Sequence, residues 1–376
     1  PARRYAPGGE GPCREKQGAS IMARLSVVVP VYNVEDCLPW CLDSLEVQTL
    51  SDIEILCVND GSTDGSRSVL ASYADRDARI RVIDKPNGGL SSARNAGIDA
   101  ASAPYVSFLD SDDRYTPNAC ERIVAALDET GADVLTFGAN PYPAEDGYPW
   151  LEHVLSPRDV VYDAFSMDLV LKESSLPFSW RTACRTDFLR ESGITFEQDL
   201  RFGEDQVFAF AVYPRSSKTA LISDKLYDYR VSRPGSLMDR LRATPGKRLM
   251  EHVTIAGAIF ADWQQAGFLH EHAADMAFWL CTFVLYDALD LAPASADEIF
   301  ASTGQMLAPY RELLDAARAD MPQAVSALID AAFDVGELKG AAHRERLMFA
   351  FDRYRYGRKR AAGRAAKRLL RGANGN

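Results

Sequence analysis

LSVVVPV, residues 25–31, is a continuous apolar run rich in β-branched side chains. A strand written this way is apolar on both faces, as strands of a parallel sheet are when helices cover each side. The pattern continues downstream. DCLPWCLDSLEVQ (36–48) spaces its apolar residues as a helix does, IEILCVND (53–60) is a second strand, and the DGSTDGS turn opens a helix with Asp64 as its N-cap. RIRVID (79–84), the short helix SSARNAGIDAA (91–101), PYVSFLD (104–110), a helix from Pro117 to Asp128 and ADVLTFG (132–138) complete five strands alternating with helices. This alternation predicts an α/β fold built on a doubly wound, mostly parallel, Rossmann-like sheet.

In such a sheet, ligands bind outside the carboxyl ends of the strands, near the point where strand order reverses. Asn33, Asp60, the Asn87-Gly88-Gly89 turn and the acidic run Asp110 to Asp113 all fall at strand ends. The last of these belongs to FLDSDD (108–113), in which an apolar strand runs straight into three carboxylates. Close like charges raise the cost of ionising them all, so such a cluster needs a cation, a basic partner or water. Mg²⁺ takes one or two carboxylates and completes its shell with water and phosphate oxygens, so a sparse acidic cluster suits phosphate chemistry. An acidic turn or helix cap is the alternative, but caps would scatter over the molecule and these loops converge on one rim.

Composition bounds the rest. The chain has 376 residues, 47% hydrophobic and 25% charged, enough for a sizeable core and two domains. Its seven cysteines form no CxxC pair and its five histidines no HExxH, so they read as reduced, mostly buried thiols of a cytoplasmic protein without zinc. MAFWLCTFVLY (276–286) is too short for the ~20 residues a bilayer span needs and reads as a buried helix. The Pro- and Gly-rich residues 1–24 read as a disordered extension, neither signal peptide nor strand. Past residue 140, helical stretches are expected over 157–173 and 186–192, short strands over 218–223 and 225–231, and only helices from 246 onward. The expected organisation is an α/β domain over 25–240, a helical domain over 241–350 and a basic tail over 351–376. Ala341 to Asn376 carries eleven basic and two acidic residues, net +9, against −20 over the rest of the chain. That tail is expected to be a basic amphipathic helix able to lie on anionic lipid at the inner face of the membrane. No nucleic-acid partner is expected.

VVVPVYNVEDCL, ILCVNDGSTDGS, NGGLSSARNAG, FLDSDD and FGEDQVF occur in the order and spacing of the family 2 glycosyltransferases of the GT-A type, and residues 25 to about 240 resemble that family. The resemblance implies a nucleotide-diphosphate sugar donor, a UDP-sugar first, and a glycan or lipid-linked hydroxyl acceptor of cell-surface polysaccharide synthesis. It implies a GT-A-like sheet followed by a C-terminal helical region. It places Pro30, Tyr32, Asn33 and Glu35 beside the base and ribose, Asp60 as acceptor of a hydrogen bond from the base, and Gly88, Gly89 and Arg94 beside the sugar diphosphate. FLDSDD resembles the DXD motif, with Asp110 near ribose and metal, Asp112 as ligand of Mn²⁺ or Mg²⁺, and Asp113 orienting them. Asp205 is implied as general base, with Glu204 as the alternative. Trp180 reads equally as a stacking surface for the acceptor or as core. Arg230 and Ser236 are implied to close over the diphosphate. Arg181 and Thr182 stand where relatives often have Lys and Leu, so the acceptor contacts differ. The activity implied is inverting, metal-dependent sugar transfer. A sugar nucleotidyltransferase and a noncatalytic nucleotide-sugar or glycan-binding scaffold remain as alternatives, although a scaffold needs neither Asp112 nor Asp205.

Overall fold

The expected central strand is β2, Leu25–Val31, and every one of its residues is buried. Val27, Val29 and Val31 join a core with helices α1 (Leu38–Glu46) and α4 (Ala119–Thr130). Val28 faces the other way, against α3 (Leu90–Ala100). Both faces being covered explains a run without alternation. The approach of α3 is close: a Cβ on Gly97 would stand 2.2 Å from Val28 Cγ1, so only glycine fits there.

The computed structural model describes residues 2–4, 22–200, 202–231, 244–338 and 340–373. Contacts divide the chain into two units, residues 1–233 and 234–376. In the first, β2 pairs in parallel with β3 (Ile53–Asp60) on one side and β5 (Tyr105–Phe108) on the other, and β3 pairs in parallel with β4 (Ile80–Lys85). The winding therefore runs outward from β2 through β3 to β4, then reverses to β5, and the reversal lies between β2 and β5. Helix α2 (Ser66–Ala74) connects β3 to β4, and α3 connects β4 to β5. Pro30 is tolerated in this central strand because the ladder to β5 ends at Val28, so no partner waits for an N–H at position 30.

Beyond β5 the sheet becomes mixed, while its longest ladders stay parallel. Antiparallel β9 (Thr182–Arg185) lies between β5 and β7 (Val134–Tyr142), and β7 pairs in parallel with β10 (Thr219–Arg230). The two strands expected over 218–223 and 225–231 are one strand, bent by register shifts between Leu221 and Tyr227. Two-residue β6 (Arg114–Tyr115) pairs with β10. The helix expected over 157–173 is a correction as well. Val160–Tyr162, a β-branched pair and a tyrosine, forms β8 on β10, and only Asp168–Leu171 is helical. Residues 2–4 of the expected disordered extension form β1 at the outer edge of β8.

The second unit is helical throughout its described residues. Met276 to Tyr286 is mostly buried, with Phe278, Thr282 and Phe283 half-buried, and its helix continues from Leu280 through a π-helical turn at Cys281–Leu285. No described helix is long and apolar enough to cross a membrane. Residue 350 lies inside helix Ala341–Tyr356, and helix Arg358–Ala373 follows after Gly357. Asp352, fully buried on the first of these, accepts from Tyr286 Oη at 2.8 Å and pairs with Arg364 and Arg368 at 2.9 Å. Basic residues of the last helix thus serve as counterions within this unit.

Candidate functional site

The carboxyl ends of β2, β3, β4 and β5 form one rim, and the first shape on it is a backbone cradle. Asp60, the last residue of β3, is 2% exposed. Its carboxylate accepts from Gly88 N at 2.9 Å, Gly89 N at 2.8 Å and Lys85 Nζ at 2.5 Å. Lys85 is its neighbour in the β3–β4 register, a pairing that motif reading missed and strand alignment could have supplied. Asn87 Nδ2 closes the loop onto the Asp60 carbonyl at 3.0 Å. Gly89 has φ +85 and opens α3, while a Cβ on Gly88 would meet Ser92 Oγ at 2.7 Å and Lys85 Nζ at 2.9 Å. Asp60 therefore fixes a glycine turn at the N-terminus of an eleven-residue helix, where N–H groups and the helix dipole favour an anion.

Asn33 and Glu35 do comparable work on the next loop. Asn33 has φ +50, its side-chain oxygen accepts from Thr63 N at 2.8 Å, and Glu35 accepts from Gly65 N. Tyr32, between them and the buried Pro30, is 50% exposed and free to present a ring face.

Arg94 is the hub. It lies on α3 with 1% of its side chain exposed, and it meets three carboxylates from distant parts of the chain. Its Nη2 donates to Asp110 Oδ1 at 2.8 Å, and its Nη1 donates to Glu204 Oε1 and Asp205 Oδ1, both at 2.9 Å. Glu204 and Asp205 begin helix Glu204–Arg215, directly after Gly203 in a left-handed conformation. Ser179, 2% exposed, adds a hydrogen bond to Asp205 Oδ1 at 2.5 Å. Among the described residues, both hydrogen bonds to this carboxylate end on Oδ1. Burial pushes Asp205 up and Arg94 pulls it down, and Glu204 and Asp110 push it up again, leaving it at about 7. A carboxyl poised there can exchange a proton near neutrality.

The FLDSDD stretch (108–113) is locked from below. Tyr227 on β10 donates to Asp113 Oδ2 at 2.7 Å and accepts from Asp110 N at 3.2 Å, and Arg230 N donates to Asp113 Oδ1 at 2.6 Å. Burial first, then Asp112 and Asp110, hold the Asp113 carboxyl well above its ordinary range. Among the described residues no three His, Cys, Asp or Glu side chains form a cage for a metal ion. Asp110 and Asp112 instead fit a hard divalent cation that takes its remaining ligands from water and phosphate, and the pressure on Asp113 is what such a charge would relieve.

Trp180 resolves to core. It is 2% exposed and stacked on Tyr227 at 4.1 Å, Tyr229 at 5.0 Å and Phe178 at 4.9 Å, so it offers no face to an acceptor. Arg181 beside it is fully buried, with Nη2 on the carbonyls of Ser174 and Leu176. Arg230 reaches the rim: its Nε donates to the Asp112 carbonyl at 2.9 Å and its guanidinium lies 4.5 Å over Trp40. Arg114 lies 4.8 Å over the same ring, and Tyr142 packs 5.0 Å from it. Trp40, Tyr142, Arg114 and Ser179 carry no motif, and only the folded chain brings them to the site. Ser236 lies outside the described residues.

Residues 26–183 match glycosyl transferase family 2. The chain is 36% identical over 219 residues to the uncharacterized glycosyltransferase EpsJ of Bacillus subtilis, a match covering 57% of this chain and 63% of that relative. It is 30% identical over 224 residues to the glycosyltransferase GlyG of Streptococcus pneumoniae, covering 57% of this chain and 72% of GlyG. The chain thus spans less than two thirds of EpsJ. Among solved structures, residues 1–349 of S. aureus TarS in complex with UDP-GlcNAc superpose with a TM-score of 0.62 at 21% identity, covering 89% of this chain and 92% of that one. That likeness extends beyond the sheet and bears out the GT-A-like fold with a helical region after it.

Proposed function

Because this chain belongs to glycosyl transferase family 2, we propose that it transfers a sugar from a nucleoside-diphosphate sugar to an acceptor hydroxyl in one inverting displacement. The observation that carries this reading is Asp205, a buried carboxyl at about 7, tied through Arg94 to Asp110 of the DXD stretch. It puts a proton acceptor and a phosphate-binding rim on one guanidinium.

Tyr32 supplies a ring face for the base, and the turn that Asp60 holds sets the N-terminus of α3 toward the diphosphate. Asp110 and Asp112 would hold Mn²⁺ or Mg²⁺, which supplies Lewis-acid neutralisation of the leaving diphosphate. Asp205 Oδ2, opposite the oxygen that Arg94 and Ser179 occupy, takes the acceptor proton as the hydroxyl attacks the anomeric carbon. Glu204 shares Arg94 and, as a second negative charge, raises the proton affinity of Asp205. A UDP-sugar is the favoured donor, in keeping with the UDP-GlcNAc held by the TarS fragment. The acceptor class is a glycan or lipid-linked saccharide of the cell surface, handled in the cytoplasm.

The test is nucleotide release from a panel of sugar nucleotides, with EDTA and with Mn²⁺ or Mg²⁺ restored. Release of nucleoside diphosphate is expected only with metal. Undiminished release in EDTA would remove the metal from the mechanism, and no release from any donor would sink the transferase reading. Pyrophosphate-forming exchange with a nucleoside triphosphate would favour a nucleotidyltransferase instead.

The exposed Arg358, Lys359 and Arg360 of the last helix are proposed to meet anionic lipid. Reversing all three to glutamate is expected to abolish cosedimentation with phosphatidylglycerol vesicles at low salt, and unchanged binding would remove that role.

A further inference from the structure

Trp180 being core leaves the acceptor without an aromatic face, and the molecule offers another. Tyr142, the last residue of β7, and Tyr148 and Trp150 shortly beyond it are 38%, 39% and 53% exposed. The Tyr148 and Trp150 rings stack at 6.1 Å with 14° between their planes, so the two form one aromatic unit open to solvent.

A chain of contacts leads from this stretch to the acidic strand end: Tyr142 packs 5.0 Å from Trp40, Trp40 lies under the Arg230 guanidinium, and Arg230 Nε donates to the Asp112 carbonyl.

The surroundings select the ligand. Glu145, Asp146 and Glu152 flank the rings, and no Lys or Arg occurs between Tyr142 and Pro157. Arg114 and Arg230 lie 5.3 and 6.0 Å over the Tyr142 ring, whereas the chain around Tyr148 and Trp150 is acidic, which suits a neutral ring with polarised C–H bonds on one face and hydroxyl donors around its edge more than an anion. We propose that Tyr148 and Trp150 form the platform on which a pyranose ring of the acceptor stacks. This rests on the transferase reading above and adds the acceptor side to it.

The test uses methyl glycosides and short neutral oligosaccharides as acceptors, with Trp150→Ala, Tyr148→Ala and Trp150→Phe in the full chain. Three quantities are read: acceptor KM, nucleotide release without acceptor, and direct saccharide binding by calorimetry. Each alanine variant is expected to raise acceptor KM about tenfold and leave acceptor-free release unchanged, with Trp150→Phe close to the parent. Unchanged acceptor KM in both alanine variants overturns the platform while the transferase reading stands. Saccharide binding that needs Trp150, in a protein releasing no nucleotide from any donor, upholds the platform and removes the transferase reading. Absence of both binding and release overturns the two together.

Discussion

Asp205→Asn is expected to lower sugar transfer by about 10³-fold or more while UDP binding stays within about twofold of the parent. General-base catalysis contributes roughly 10²–10⁴-fold, and asparagine keeps the shape and the oxygen that Arg94 and Ser179 hold, so the loss should be chemical. The same carboxyl sets the pH dependence. Burial, Glu204 and Asp110 raise it to about 7 against the pull of Arg94. A base works only when ionised, so transfer should rise with pH, reach half its plateau near pH 7, and lose that inflection in Asp205→Asn. Comparable loss of UDP binding and transfer would falsify the base assignment, and Glu204→Gln is the variant to compare with it.

Arg94→Met is expected to destabilise the first unit by about 3–5 kcal/mol, because three carboxylates would be left against one missing cation. Arg94 is 1% exposed, so water does not substitute for it. Lysine should rescue little, since an ammonium cannot reproduce the fork that reaches Asp110 with one nitrogen and the Glu204-Asp205 pair with the other. Neutralising the acids in the same protein, with Glu204→Gln and Asp205→Asn beside Arg94→Met, should return much of the stability without returning activity. Urea midpoints at constant slope measure both effects. A single-variant loss below about 1 kcal/mol would show that the acids find another partner.

These two expectations separate what local sequence could reveal from what it could not. The parallel half of the sheet was legible because β2, β3 and β5 bury nearly all their residues and write that fact into mostly apolar runs without strict alternation. β8 was not, because a three-residue strand has too little pattern to oppose a helical neighbourhood, and its pairing with β1 and β10 is wholly nonlocal. The bend that joins two apparent strands into β10 is a register shift, which composition does not record. At the site, Asp110, Arg94, Glu204 and Asp205 could each be picked out by motif, but their meeting on one guanidinium spans 111 positions of chain. Trp180 shows the limit from the other side: the residue type fits a sugar platform and a core equally, and only its stack on Tyr227 and Tyr229 decides.

The shared guanidinium also constrains how this sequence can drift over generations. Losing Arg94 first exposes the chain to the full penalty of three uncompensated acids, whereas losing Asp205 first, on the proposed mechanism, would remove activity at little structural expense. The order of change is therefore asymmetric: descendants freed from catalysis should shed the acids before the arginine. An inactive descendant that keeps Arg94 without its acids would be the fossil of that route.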